Sequence, residues 1–184
     1  MGSYNFPYYI CKNSYKMKKT LIGALIVIGF LVSCKKSSDN QPTCDSNYDP
    51  CALKAPAAET DSVLAYINTH IDDVLQNGDT VRHCSGMYYV IDSIGTGKTP
   101  GVCSYVTVNY TGMLKDSTVF ANNLPGMFYL NQLITGFKNG TLLIKEGGAI
   151  TLYIPPSLAY GSQQNGNIPA NSMLIFKVAL VSVQ

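Results

Sequence analysis

The chain has 184 residues, 46% of them hydrophobic, with no Trp and two His, His70 and His83. That length favours one ordinary domain with accessory segments over two large domains, and two histidines leave little for a His-based metal site or catalytic system. Of the thirteen Lys and Arg, Lys12, Lys16, Lys18 and Lys19 precede Cys34, leaving nine against eleven Asp and Glu, a formal −2, in the rest of the chain; this is not the concentrated basic patch of a nucleic-acid-binding domain, and no nucleic acid is expected as a partner.

Leu21 to Val32 reads LIGALIVIGFLV directly after Lys18 and Lys19. A charged segment followed by a short apolar run has the order of a secretory signal, and the run is shorter than the roughly 20 residues a spanning helix needs. It ends at Leu31-Val32-Ser33-Cys34, which resembles the bacterial lipobox, whose Cys is acylated and becomes the new N-terminus. Residues 17–33 are therefore expected to be a lipoprotein signal peptide with Cys34 as the lipidation site, facing the domain toward the periplasm or the cell exterior. Residues 1–16 are crowded with Tyr and Phe instead of being a short basic lead-in. Met17 is the expected start, and 1–16 are given no fold.

Residues 34–59 are rich in Ser, Asn, Asp, Pro and Ala, the composition of a tether. An N-terminal helical segment is expected over 60–84. Within it Val63, Leu64, Ile67, Ile71, Val74 and Leu75 recur at helical spacing from Thr60 to Gln76; Thr60 is the expected N-cap and Asn77-Gly78 the stop. From Met87 the period changes to two, and strands are predicted at 87–94, 105–114, 149–154 and 173–183. Gly136 to Ile144 is predicted to be a short helix between them, and 161–171 a long polar loop. Strands with one short helix indicate an α+β domain over 85–184, an antiparallel β-sheet wrapped around that central helix. Cys44, Cys51, Cys84 and Cys103 follow the signal, and an oxidising compartment favours disulfides. Of the three pairings open to four cysteines, Cys84–Cys103 with a local Cys44–Cys51 loop is the expected one.

Gly97-Lys98-Thr99 ends like a phosphate-binding loop, but the pattern needs a Gly where Asp92 stands, and Pro100 follows where a helix should begin. A Gly-x-Ser-x-Gly elbow is also missing, and the cysteines do not fall into a metal-ligand spacing. No metal or cofactor is expected. What remains is a set of aromatic and branched residues: Tyr110, Phe120, Phe128, Ile134, Phe137, Tyr160, Ile168 and Phe176. The plain reading is that they are core, and for Phe128 and the last strand it holds in part. Tyr160 and Ile168, however, flank a polar loop where core residues are less expected.

VTVNYTGMLKDSTVF, LNQLITGFKNGTLLIKEGG, TLYIPPSLAYGS and IPANSMLIFKVALVSV follow one another as in the FKBP family of peptidyl-prolyl cis-trans isomerases, which the region from Ser85 to Val183 resembles. The helix and tether before it look like lipoprotein members of that family. The resemblance implies an FKBP-like sheet over a central helix. It also implies catalytic-pocket roles for Tyr110, Phe120, Phe137, Tyr160 and Phe176, and substrate contacts from Leu133, Ile134 and Ile168. Three positions depart from the common pattern: Ala121 stands where many members have Asp, Phe137 where many have Trp, and Ala170 where a second Pro is usual.

The implied activity is isomerisation of X–Pro bonds in unfolded or partly folded proteins. The alternative is a non-catalytic FKBP-fold peptide-binding or chaperone module, which Ala121 favours; a structural envelope protein with a degenerate pocket is the third reading. Nothing in the sequence demands an oligomer, and a monomer is expected.

Overall fold

The computed structural model describes residues 44–70 and 80–184. The signal segment, Cys34 and the Asn77-Gly78 stop lie outside the described residues. The elements are α1 (Ala57–Thr69), β1 (Val81–Arg82), β2 (Tyr88–Ser93), β3 (Tyr105–Leu114), β4 (Val119–Tyr129), α2 (Thr135–Thr141), β5 (Ala149–Ile154) and β6 (Leu174–Val183). The six strands form one sheet in the order β1-β2-β5-β6-β3-β4, and every pair is antiparallel. The architecture is α+β, as the alternation of apolar residues indicated.

The sheet buries one face along its length and part of the other. On one side Val106, Val108, Ile150, Leu152, Ile154, Leu174, Phe176, Val178 and Leu180 form the main core with Phe137 of α2. On the other side Tyr88, Val90, Tyr153 and Ile175 pack against Val63 and Ile67 of α1, four residues apart and so on one helix face. Full burial of each such side chain is worth about 1.5–3 kcal/mol. The sheet is therefore held between two helices.

Gly136 and Gly140, also four apart, seat α2 on β5. A Cβ at the first would strike the Ile154 side chain, and one at the second that of Leu152. This close approach sets the depth of the helix and of Phe137, which sits between the two glycines.

The structure departs from the expectations at several points, and β1 at Val81–Arg82 lies inside the helical segment expected over 60–84. α1 begins one turn early, after Pro56, because Ala57, Ala58 and Glu59 are good helix formers. Thr60 is thus not the N-cap; it is 1% exposed, with its hydroxyl directed back to the Pro56 carbonyl at 3.3 Å. A strand with no clear alternation, β4, lies at the sheet edge, where Asn123 adopts φ 46° and the register with β3 shifts.

The cysteines pair as Cys44–Cys103 and Cys51–Cys84, with Cα separations of 5.6 and 5.4 Å, and not as Cys84–Cys103 and Cys44–Cys51. Residues 44–55, read from composition as tether, form a strap fastened to the domain at both disulfides and by the Ala55 N–H bond to the Ser85 carbonyl at 2.8 Å. Proximity in the folded chain decides the pairing, and no periodicity in the strap announces it.

Candidate functional site

Between α2 and the β3–β4 edge of the sheet lies a cleft of about 240 Å³. It is lined by Tyr110, Phe128, Gln132, Leu133, Ile134, Phe137, Tyr160 and Phe176. Six of the eight sequence-predicted pocket residues meet there. Tyr110 comes from β3, Phe137 from α2 and Phe176 from β6. Leu133 and Ile134 follow a 3-10 turn at Leu130–Gln132 that closes with the Leu133 N–H on the Leu130 carbonyl.

Tyr160 is placed by a tight turn through Pro155 and Pro156. The Pro156 carbonyl accepts from both the Ala159 and Gly161 amides at 2.9 Å, and Gly161 takes φ 59° to complete the reversal. The polar loop that follows is closed at its base by the Asn171 amide on the Gly161 carbonyl at 2.7 Å.

The rings are arranged edge to face. Phe137 meets Phe176 at 5.2 Å and 83°, and Tyr110 meets Phe137 at 6.0 Å and 87°. Each such contact adds about 0.5–1.5 kcal/mol beyond area burial and fixes the angle at which the wall faces the cleft. Two expected residues stand one layer back. Phe120 braces Phe176 at 5.6 Å and 80°. Ile168 is 6% exposed and packs into the main core, pegging the polar loop. Two lining residues were not assigned to the pocket. Phe128 is partly core in the sequence reading, and nothing in its stretch marks a strand that faces β3; Gln132 carries no signal at all.

None of the lining residues is charged. Burial, and secondarily the neighbouring Tyr110, raises the Tyr160 pKa above the usual tyrosine value, so its hydroxyl stays a donor through neutral pH. Neither the Tyr160 hydroxyl nor the Ile134 N–H has a hydrogen-bond partner among the described residues. The cleft thus offers a dry aromatic slot with two open donors. It is smaller than the roughly 300–1,000 Å³ typical of drug-sized ligand sites and suits a single compact side chain with its adjoining peptide. A groove of about 320 Å³ between α1 and the 161–171 loop is lined by polar and exposed residues such as Lys115, Asp116 and Asn171 and gathers no aromatic ring. Among the described residues no three His, Cys, Asp or Glu side chains come together as metal ligands would.

Comparison with known proteins agrees with this geometry. Residues 97–181 match the model for the FKBP-type peptidyl-prolyl cis-trans isomerase domain. The chain belongs to the FKBP family. A probable FKBP-type peptidyl-prolyl cis-trans isomerase of Haemophilus influenzae is 42% identical over 161 residues, covering 83% of this chain and 66% of the relative. Outer membrane protein MIP of Legionella longbeachae is 40% identical over 105 residues, 54% of this chain and 45% of that protein. The crystal structure of FkpA from Escherichia coli superposes with a TM-score of 0.59 at 33% identity, covering 69% of this chain and 62% of that one. The chain spans between 38% and 43% of the length of several FkpA relatives it matches.

Proposed function

We propose that this FKBP-family chain is a peptidyl-prolyl cis-trans isomerase acting on proline-containing segments of unfolded or partly folded proteins. The observation that carries the reading is the uncharged aromatic cleft with the Tyr160 hydroxyl and the Ile134 N–H left open at its walls. Rotation about X–Pro crosses a barrier of about 18–20 kcal/mol, set by amide resonance. The planar amide is strongly dipolar, and the twisted transition state loses that charge separation. A desolvated slot therefore binds the twisted form better than the planar one. Phe137, Phe176 and Tyr110 enclose the proline ring, with Phe120 bracing Phe176, while the two donors hold flanking carbonyls and favour the twist. No bond is broken, so no nucleophile is required.

The test is the exchange rate of an X–Pro peptide with the purified chain. Uncatalysed exchange takes tens to hundreds of seconds, so acceleration is directly visible. A second reading, a peptide-binding module without catalysis, is favoured by Ala121, which leaves the neighbourhood of the cleft without the carboxylate many family members carry. Peptide binding with no acceleration would establish that reading in place of the first.

The location proposed is the bacterial envelope, with lipid on Cys34. The support is the order of lysines, apolar run and lipobox in the sequence. Two disulfides in the domain fit an oxidising compartment, and a 40% identical relative bears the name of an outer membrane protein. Multiple acyl chains anchor firmly where one does so marginally. Cys34→Ser is expected to leave the membrane fraction or remain unprocessed; normal processing and membrane retention would refute the anchor.

A further inference from the structure

The strap meets α2 at the two residues that follow Phe137. Tyr48 donates its hydroxyl to Asn139 Oδ1 at 2.6 Å. Asn139 in turn donates through Nδ2 to the Pro50 carbonyl at 2.9 Å. The Lys138 ammonium sits 4.3 Å from the centroid of the Tyr48 ring. Asn139 is 1% exposed, so both polar ends of a buried side chain are satisfied by the strap. The Cys44–Cys103 and Cys51–Cys84 bonds hold this contact from either side.

Apart from its packing on β5 and the core, the helix has little of its own to hold it. It is seven residues long, contains two glycines and has no side-chain cap at its N-terminus, and helices of that length are not stable alone. The same helix carries Phe137, and the open Ile134 N–H stands at its first turn.

We propose that Tyr48 and Asn139 are positioning residues of the prolyl cleft: the strap clamps α2 so that Phe137 and the Ile134 amide keep their places. This rests on the isomerase reading of the cleft. Neither residue touches substrate. A purely structural strap would alter global stability alone, whereas a positioning clamp alters α2 and substrate handling in a chain that remains folded.

The experiment uses the full oxidised chain and its Tyr48→Phe and Asn139→Leu variants, at a temperature well below the melting midpoint of each. Amide hydrogen exchange is read across α2 and across the β5 and β6 strands, together with kcat and KM for an X–Pro peptide. For Tyr48→Phe, which keeps the ring over Lys138, exchange in α2 should quicken several-fold while β5 and β6 are unchanged. Loss of one hydrogen bond predicts a fall in kcat/KM of about three- to tenfold. Asn139→Leu should lose more in both readouts. Faster α2 exchange with unchanged kcat/KM, or exchange raised equally throughout the sheet, overturns the proposal. If the wild type binds the peptide but does not accelerate exchange, the isomerase reading fails by itself, and the clamp is judged by the peptide Kd: a threefold or greater weakening in Tyr48→Phe supports it, and an unchanged Kd overturns it. A wild type that neither accelerates nor binds overturns both.

Discussion

Gly112 lies directly beneath the ring of Phe120, with no room for a side chain between them, and a Cβ there would also stand 3.0 Å from Phe176 Cε1. The glycine is thus what lets Phe120 brace Phe176. Gly112→Ala must push both rings, and overpacking of this kind costs about 1–3 kcal/mol. The expected outcome is a lower denaturation midpoint together with a drop in isomerisation rate that persists when the protein is fully folded. Chemical denaturation and exchange kinetics on one preparation check both.

Phe176 is 4% exposed and forms both core and cleft wall. Phe176→Ala should cost about 3–5 kcal/mol of stability and most of the activity. Tyr160→Phe keeps the ring and removes one open donor, so stability should hardly move and kcat/KM should fall about several-fold, the worth of one hydrogen bond. A larger loss from Tyr160→Phe than from Phe176→Ala would show that the hydroxyl, and not exclusion of water, is the main device.

Ala121 sits opposite Gly112 in the β3–β4 register and is 7% exposed. A carboxylate placed there is buried beside the aromatic cluster, and burying an ionised group without full hydrogen bonding costs several kcal/mol. Ala121→Asp is expected to lower the denaturation midpoint and to raise kcat/KM or tacrolimus-type binding several-fold. Loss of stability with no gain in either would mean that the cleft works without a carboxylate.

The Cys51–Cys84 bond closes a separation of 33 residues and Cys44–Cys103 one of 59. Loop-closure entropy then assigns each about 3–4 kcal/mol. Cys51→Ser with Cys84→Ser, and separately Cys44→Ser with Cys103→Ser, should each lower stability by that order. Non-reducing peptide mapping should recover these two pairs, and any other pairing would contradict the strap geometry.

Burial holds the His83 imidazole below the ordinary histidine value. Its Nδ1 accepts the Ser85 amide at 3.1 Å, which only an unprotonated nitrogen can do. Between the lowered folded value and the ordinary one near 6.5 the unfolded chain binds more protons. Stability from this group therefore rises with pH through that window and is constant above it. His83→Gln should flatten the slope of stability against pH just below 6.5, and equal slopes for variant and wild type would assign the acid sensitivity elsewhere.

The alternating strands were legible because much of the face of β3 and β6 turned away from the main core is open to solvent, as at Asn109, Lys177 and Ala179, which confines apolar residues to every second position at Val106, Val108 and Tyr110 and again at Phe176, Val178 and Leu180. The β4 strand was not, since an edge strand has one unpaired side, and Asn122, Asn123, Pro125 and Gly126 reflect its bends more than its pairing. Tyr110, Phe137, Tyr160 and Phe176 stood out through the family resemblance. Gln132 and the strap did not, because an exposed glutamine and a run of Asn, Asp and Pro take their roles from neighbours distant in the chain. Asn139 is the clearest case: a polar residue whose burial is explained only by Tyr48 and Pro50, some 90 positions away.

The order of the sheet also bears on how the domain is made. Its last strand in sequence, β6, is central in space, paired with β5 on one side and β3 on the other. Until it arrives, the β3–β4 hairpin and the β2–β5 pair have no hydrogen-bonded link. Synthesis proceeds at about 5–20 residues per second from the N-terminus, so the nascent chain emerges as two unjoined halves. It stays pliable until β6 is released. Closure of the sheet is thereby delayed until the strand from Leu174 to Val183 is in place. It also means that removing β6 should leave no partial domain, only an open and aggregation-prone chain, whereas trimming the two-residue β1 at the opposite edge should be tolerated.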